Sequence, residues 1–133
     1  MALRLTRLLR CDSRQLGELH ATHYVQGEGF APHYDVPGGA WASEGFEDSS
    51  RLATVFVYLN DVERGGETHF VNLSLRVQPR RGLAVVFFPA SVNPPFKLDR
   101  RLMHESTPAV DEKWTLTAFV WGRLGQRREL VWG

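Results

Sequence analysis

The tripeptide His33-Tyr34-Asp35 is the first place in the sequence where residue types and spacing could do chemistry. The segment from Phe30 to Asp35 can form a strand that carries it. Residues i and i+2 of a strand point to the same side. His33 and Asp35 can therefore offer an imidazole nitrogen and a carboxylate oxygen to one metal ion. A His-x-Asp pair also occurs at solvated strand ends, so the pair alone does not define a metal site.

A third ligand for such an ion must come from elsewhere in the chain. The remaining histidines are His20, His23, His69 and His104. Two imidazoles and one carboxylate on one side of an ion leave three coordination positions open, the arrangement of non-haem Fe(II) sites. Open positions are what a co-substrate and O₂ require.

Lys113 begins a second stretch whose residue types could take part in binding or catalysis. The predicted strand from Lys113 to Trp121 has one face made of Lys113, Thr115, Thr117, Phe119 and Trp121, and its opposite face is apolar. A cation followed by two hydroxyls is costly to bury without polar partners, and a bound carboxylate would supply them. The alternative is that Lys113 stands at an exposed strand start and that the threonines face water.

Length and composition restrict the kind of protein that can carry these groups. The chain has 133 residues, 43% hydrophobic and 23% charged, with a formal net charge of +1. We therefore expect one globular domain over residues 1–133, and no nucleic-acid partner, since there is no global basic charge. The single cysteine excludes an internal disulfide framework. With neither a membrane-spanning run nor a signal-peptide pattern in the sequence, we expect no membrane partner and favour the cytoplasm.

The elements that would position these groups are mostly short strands. Residues 1–16 predict an amphipathic N-terminal helical segment, and residues 19–123 predict a β-rich core with turns marked by glycine and proline. The run from Leu83 to Phe88 is apolar on both faces, so we expect it to be buried on both. Many short strands with no long helix after the first favour a sandwich or barrel, and a double-sheet jelly roll fits the number of strands.

Four stretches of the sequence, taken together and in order, resemble the prolyl 4-hydroxylase branch of the 2-oxoglutarate- and Fe(II)-dependent dioxygenases. The features that resemble the family are an upstream H-x-D, a Y-L-N-D-V followed by G-G-E-T, and a downstream H…K-W. Together the four stretches extend over nearly the whole chain. The stretches are YVQGEGFAPHYD (24–35), RLATVFVYLNDVERGGETHF (51–70), VQPRRGLAVVFF (77–88) and HESTPAVDEKWTLTAFVW (104–121).

The resemblance implies roles for individual residues. It implies that the iron ligands are His33, Asp35 and His104. By the same resemblance, Lys113 binds the distal carboxylate of 2-oxoglutarate. The resemblance also implies a double-stranded β-helix, that is, a jelly roll. The further residues that match positions lining the co-substrate pocket are Tyr24, Thr54, Tyr58 and Thr117.

The same resemblance implies an activity. Hydroxylation of peptidyl-proline would use Fe(II), 2-oxoglutarate and O₂, release succinate and CO₂, and use ascorbate as a reductant. A free amino acid or another small molecule is an alternative substrate. A non-catalytic jelly-roll binding module and a cupin-like metal enzyme are alternatives from other classes, although cupins tend to show His-x-His where this chain has His-Tyr-Asp.

The remaining polar and aromatic residues carry weaker expectations. His20 and His23 lie three apart on a predicted strand, so they face opposite ways and we expect both to be structural. We expect no metal ligation by His69. Trp41 and Phe46 lie in a Gly- and Ser-rich loop over residues 37–50 that could cover a substrate. The helices that precede the barrel in this family are nearly absent here, so the face they cover could mediate self-association.

Overall fold

Two four-stranded antiparallel sheets face each other in the computed structural model, which describes residues 1–36, 51–89 and 98–122. In the described residues the strands are β1 His20–Tyr24, β2 Phe30–His33, β3 Arg51–Tyr58, β4 Thr68–Phe70, β5 Leu75–Val77, β6 Ala84–Phe87, β7 His104–Ser106 and β8 Lys113–Trp121. One sheet has the order β1-β8-β3-β6 and the other β2-β7-β4-β5. The predicted all-β fold class is confirmed.

One helix and short 3₁₀ turns complete the described elements. The helix, α1, spans Ala2–Leu9, and the 3₁₀ turns are Ser13–Gln15, Val71–Leu73 and Arg100–Leu102. Asp12 caps the first turn by accepting a hydrogen bond from the backbone N–H of Arg14. The predicted helical segment over residues 1–16 is thus a helix of two turns followed by a capped 3₁₀ turn.

The N-terminal segment packs on the outer face of the first sheet. Leu5 and Leu16 are buried there against Val55, Ala118 and Val120. The alternating apolar residues of β3 and β8 are therefore partly covered by α1 and the turn that follows it. Trp114, on the same face of β8, remains 40% exposed, and self-association through this uncovered area stays a prediction.

The inner faces of the two sheets enclose a second apolar cluster and a cavity. Phe56, Tyr58, Phe70 and Phe87 form the cluster. A cavity of about 340 Å³ lies beside it, lined by side chains from both sheets. This cavity contains most of the residues singled out from the sequence.

Two predicted strands differ from those observed. The strand expected up to Asp35 ends at His33, because its partner β7 begins at His104 directly opposite and the chain before β7 forms a 3₁₀ turn. The run from Leu83 to Phe88, expected to be buried on both faces, contains an edge strand in which only Phe87 is buried. Val86 packs against the cluster on one face and Val85 and Phe87 against the cluster on the other. Both faces therefore contact the core, but the prediction that the run is fully buried is wrong, because an edge strand is covered by a neighbouring strand on one side only.

The described part of the chain includes no helix with the length and apolar character needed to cross a membrane.

Candidate active site

His33, Asp35 and His104 come together at one end of the second sheet. His33 ends β2, His104 begins β7, and the two face each other as a register pair. One ligand atom from each of the three side chains lies within 4.8 Å of the others. The Nε2 atoms of His33 and His104 lie 3.3 Å and 3.7 Å from Oδ1 of Asp35. Two imidazole nitrogens and one carboxylate oxygen thus converge on one point.

The backbone fixes the orientation of both imidazole rings. Nδ1 of His33 lies 2.8 Å from the carbonyl oxygen of Ala31, and Nδ1 of His104 lies 2.9 Å from that of Leu102. A carbonyl can only accept a hydrogen bond, so each Nδ1 must carry a proton. In the neutral rings both Nε2 lone pairs are therefore free to bind a metal.

Burial and hydrogen bonding favour the protonation states that metal binding needs. Burial lowers the pKa of His104, which favours the neutral ring. Burial alone would raise the pKa of Asp35, but interactions with His33, His104 and Thr54 outweigh it and lower that pKa. Neutral histidine and ionised aspartate are the ligand forms of these residues. This donor set fits Fe(II), which takes two histidines and one carboxylate and keeps open positions.

Aromatic side chains support the histidines. The ring of Phe87 lies 4.8 Å from that of His104 and the ring of Phe70 lies 5.5 Å from it, measured between centroids. Phe30 packs edge-on against His33 with centroids 4.3 Å apart. These contacts restrict ring rotation and place apolar surface beside both imidazoles.

Lys113 lies in the same cavity, on the opposite sheet. The residue is 2% exposed, and its Nζ donates hydrogen bonds to the carbonyl oxygen of Gly66, at 2.8 Å, and to Oγ of Ser106. The ring of Tyr24 lies 4.4 Å from Nζ, a cation–π contact. Burial lowers the pKa of Lys113 to about 8, an effect that the charge of Glu67 opposes. The predicted inward-facing row of β8 therefore does begin with a buried ammonium.

Gly66, in a turn with Gly65, lies close to this lysine. Gly65 and Gly66 have φ angles of +69° and +65°, a backbone conformation that favours glycine. A Cβ added to Gly66 would lie 3.2 Å from Cδ of Lys113. A side chain at position 66 would therefore crowd the lysine whose Nζ donates to the Gly66 carbonyl.

The four further residues predicted for the co-substrate pocket occupy different positions. Tyr24 and Thr117 line the cavity. Thr54 also lines it, but its hydroxyl donates a 2.8 Å hydrogen bond to Oδ2 of Asp35. Tyr58 does not line the cavity and instead donates its hydroxyl to Thr68, which does. Trp41 and Phe46 lie outside the described residues.

Arg51 is a cavity residue that the sequence pattern did not reveal. Strict alternation with Thr54, Phe56 and Tyr58 would place Arg51 on the outer face of β3, but a register shift between Arg51 and Ala53 turns it inward. Its guanidinium carbon lies 3.6 Å from the centre of the Phe119 ring, and Nη1 lies 3.9 Å from Oδ1 of Asp35. Among the described residues, its buried Nε has no hydrogen-bond partner.

Several other lining residues also carry polar groups, among them His20, Thr68 and Ser106. His20, expected to be structural, is exposed and lines the cavity near Phe119, with ring centroids 6.1 Å apart. Thr68 and Ser106 lie opposite each other on β4 and β7. Thr68 ends the G-G-E-T motif and Ser106 lies in the stretch 104–121, but neither was assigned a role in the site, since each lies on a strand of only three residues. His69 points elsewhere and pairs with Glu105 at 2.7 Å.

A two-sheet β fold with two histidines and one aspartate in its cavity defines the class of the protein: a double-stranded β-helix whose three clustered side chains could hold one metal ion. The chain belongs to the 2OG-Fe(II) oxygenase superfamily, whose family model matches residues 19–121. This match confirms the resemblance seen in the sequence.

Individual relatives agree with the family. The chain is 31% identical over 132 residues to "Probable prolyl 4-hydroxylase 6" of Arabidopsis thaliana, with 85% of this chain and 44% of the relative covered. It is 32% identical over 128 residues to "Probable prolyl 4-hydroxylase 3" of the same organism, covering 81% of this chain and 42% of that one. The chain thus spans less than half the length of these curated relatives.

A solved structure shows the same fold. The viral collagen prolyl hydroxylase of Paramecium Bursaria Chlorella virus-1, in a truncated form, superimposes with a TM-score of 0.78 at 23% sequence identity, covering 91% of this chain and 66% of that one.

Proposed function

We propose that this chain is an Fe(II)- and 2-oxoglutarate-dependent dioxygenase that hydroxylates peptidyl-proline. The observation that carries the proposal is the cluster of His33, Asp35 and His104 in one cavity with the buried cation of Lys113. Similarity to proteins named prolyl 4-hydroxylases supports the choice of proline. When bound, Fe(II) would supply the oxidising chemistry with 2-oxoglutarate and O₂, yielding succinate and CO₂, with ascorbate as reductant.

His33, Asp35 and His104 would hold the iron. The two Nε2 atoms and Oδ1 would supply three ligands, and an Fe(II) ion held by two histidines and one carboxylate would keep further positions for the co-substrate and O₂. Thr54 holds Oδ2 of Asp35, which leaves Oδ1 for the metal. The protein's contribution is therefore a fixed set of three ligands.

Lys113 would bind the distal carboxylate of 2-oxoglutarate. No carboxylate of the described residues lies within ion-pair distance of its Nζ, whose two hydrogen-bond acceptors are neutral oxygens. A buried cation without an anionic partner is a strong binding site for a carboxylate, since a charge-assisted hydrogen bond forms where water is excluded. Tyr24 and Thr117 would line the space between this carboxylate and the iron.

Arg51 would face the substrate at the other end of the cavity. It stacks on Phe119, which lies six positions after Lys113 on β8, or about 20 Å along an extended strand. Its guanidinium can donate to a substrate carbonyl or carboxylate. This cation also favours a second candidate substrate class, a free amino acid or another small molecule that carries a carboxylate.

A turnover assay tests the proposal. Succinate formation would be measured with Fe(II), ascorbate, 2-oxoglutarate and a panel of proline-containing peptides, with free L-proline as a separate arm. We expect succinate above the level of a His104→Ala control, with a hydroxylated peptide as the second product. Hydroxylation of free proline but of no peptide would support the second candidate. If the wild-type protein fails to bind 2-oxoglutarate in the presence of Mn(II), the proposal is wrong.

A further inference from the structure

His104 takes its orientation from a carbonyl that lies outside the two sheets. Nδ1 of its ring lies 2.9 Å from the carbonyl oxygen of Leu102, which belongs to the 3₁₀ turn Arg100–Leu102. The corresponding acceptor for His33 is the carbonyl of Ala31, a residue of β2, which is paired with β7. A paired strand is held by hydrogen bonds to its neighbour, whereas a short turn keeps its position through other contacts. The orientation of His104 therefore depends on what holds this turn.

Asn72 donates a hydrogen bond to the same turn. Its Nδ2 lies 2.6 Å from the carbonyl oxygen of Arg100, the first residue of the turn. A carbonyl can only accept, so the amide must present its NH₂ group there. The hydroxyl of Tyr34 lies 3.5 Å from the same oxygen, which is too long for a strong hydrogen bond. Among the side chains of the described residues, Asn72 is therefore the main donor to Arg100.

The place of Asn72 follows from the pairing of β4 with β7. The last residue of β4 is Phe70, whose register partner on β7 is His104. The chain then turns, and the backbone N–H of Val71 donates a 2.9 Å hydrogen bond to the carbonyl of Met103. The segment after β4 and the segment before β7 are thus joined by two hydrogen bonds, one from the backbone and one from the side chain of Asn72.

Loss of the Asn72 amide would detach the turn without unfolding it. Asp99 caps the turn by accepting a hydrogen bond from the backbone N–H of Arg101, and its carbonyl accepts another from the N–H of Leu102. These bonds are local to the turn and do not involve Asn72. Substitutions at position 72 therefore change how the turn is attached and leave its own hydrogen bonds in place.

The contact with Leu102 decides which nitrogen of His104 can bind a metal. A neutral imidazole carries one proton, and the hydrogen bond made by one nitrogen determines where that proton lies. With Nδ1–H bonded to the Leu102 carbonyl, Nε2, which lies 3.7 Å from Oδ1 of Asp35, keeps its lone pair. If the turn shifts, the proton can move to Nε2, and that tautomer cannot ligate through Nε2.

We propose that Asn72 is a positioning residue, which holds the turn so that the carbonyl of Leu102 keeps the proton of His104 on Nδ1. This inference rests on the proposed function, since it concerns how one of the proposed iron ligands is oriented. Asn72 is exposed and does not line the cavity. It therefore acts through His104 and does not touch substrate or co-substrate.

The test follows the imidazole proton of His104 in the metal-free protein. Long-range proton–nitrogen correlation spectra distinguish the two tautomers at about pH 8, where histidine is neutral, and His104→Ala assigns the signal. We expect the Nδ1–H tautomer in the wild type. In Asn72→Ala, and in Asn72→Asp, which keeps the shape but cannot donate, we expect the Nε2–H tautomer to appear. The affinity for Mn(II), measured by calorimetry, should fall by about tenfold, the lower end of the effect of losing a residue that orients a ligand.

Two further variants separate the orientation of His104 from general stability. Asn72→Gln keeps an amide donor and should recover part of both effects. Asn60→Ala is the matched control, because Nδ2 of Asn60 donates a 2.8 Å hydrogen bond of the same kind to the carbonyl of Glu112, and its loss should change neither. The signal of His33 should stay the same in every variant, because its acceptor lies in β2.

The outcomes distinguish the inference from the proposed function. If Asn72→Ala and Asn72→Asp both keep the wild-type tautomer of His104, the inference is wrong, even where the Mn(II) affinity falls, since Asn72 would then support the fold alone. A wild type that shows the Nδ1–H tautomer but binds no Mn(II) would overturn the proposed function instead.

Discussion

The hydroxyl of Thr54 donates a 2.8 Å hydrogen bond to Oδ2 of Asp35, so that Oδ1 alone faces the two imidazoles of the cluster. Thr54 is 1% exposed and lies in the middle of β3 between two neighbouring strands. A carboxylate after the end of β2 is thereby hydrogen-bonded to a buried residue in the centre of the other sheet. The position of the Asp35 carboxylate in the candidate metal site therefore depends on how the two sheets pack against each other.

Replacing Thr54 by Val tests this connection. The substitution keeps the shape but removes the donor, so Asp35 can rotate and Oδ2 is left unsatisfied. We expect a weaker affinity for Mn(II) by about tenfold to a hundredfold, the usual effect of losing a residue that orients a ligand. Thr54→Ser, which keeps the hydroxyl, should retain most of the affinity. An unchanged affinity in Thr54→Val would show that Asp35 is held by other contacts.

Replacing His104 by Ala should remove the metal. The residue is 6% exposed and supplies one of three ligand atoms, so its loss removes geometry as well as affinity. We expect no stoichiometric Mn(II) in the variant by elemental analysis and no turnover with Fe(II). His23→Ala is the matched control, because that histidine stacks on Trp114 on the outer face. Full activity of His104→Ala would contradict its assignment as a ligand.

The inner row of β8 shows what a sequence can predict. Alternation alone places Lys113, Thr115 and Thr117 on one side of a long strand, and the structure buries the first two beside the cavity. Long strands with clear alternation are the most predictable elements, because a shift of one residue would bury the wrong face. The meeting of His33 with His104, in contrast, depends on register between strands 71 positions apart in the chain, which local patterns do not encode.

The residues that sequence reasoning missed have identifiable physical causes. Arg51 turns inward because of the irregularity at the start of β3, which breaks the alternation on which the prediction depends. Ser106 belongs to a strand of three residues, too short for a periodic signal. Tyr58 is predicted to line the pocket, but it does not line the cavity and donates its hydroxyl to Thr68, which does.

Replacing Arg51 by Gln should affect the substrate more than the co-substrate. The guanidinium lies on Phe119, far along β8 from Lys113, so the distal carboxylate site stays intact. We expect a higher KM for the hydroxylated substrate, by about tenfold for one lost charged hydrogen bond, with the 2-oxoglutarate affinity nearly unchanged. Arg80→Gln, at an exposed position, serves as the control. Equal losses for both ligands would indicate that Arg51 supports Asp35 instead.

Replacing Lys113 by Ala should weaken 2-oxoglutarate binding without removing the metal. Charge-assisted hydrogen bonds to a partly buried carboxylate contribute about 1.5–3 kcal/mol, so we expect a loss of about tenfold to a hundredfold. Mn(II) content should stay at the wild-type level because no ligand is lost. Calorimetric titration with 2-oxoglutarate at fixed Mn(II) measures the effect. An unchanged affinity would mean that the distal carboxylate binds elsewhere.

The lowered pKa of Lys113 predicts how 2-oxoglutarate binding depends on pH. Burial lowers this pKa from 10.5 to about 8 in the ligand-free protein, and only the protonated amine attracts the distal carboxylate. At pH 7 most molecules carry the charge, whereas at pH 9 about one in ten does. We therefore expect affinity to be constant below about pH 7.5 and about tenfold weaker at pH 9 than at pH 7.

The ligand-free fold should respond in the opposite direction. The amine of the unfolded chain keeps a pKa near 10.5, so between about pH 8 and 10.5 the unfolded state binds more protons than the folded state. The contribution of Lys113 to the free energy of unfolding therefore increases with pH across this window, since the cost of burying a charge disappears as the amine loses its proton.

Two variants of Lys113 separate the pH dependence of 2-oxoglutarate binding from that of stability. Lys113→Met should remove this contribution to the pH dependence of stability. Lys113→Arg, which stays charged, should bind 2-oxoglutarate with partly recovered affinity that no longer falls at pH 9. Titrations with 2-oxobutyrate correct for pH effects at the metal, because that ligand lacks the distal carboxylate. If wild type and Lys113→Arg lose 2-oxoglutarate affinity equally between pH 7 and 9, deprotonation of Lys113 is not the cause.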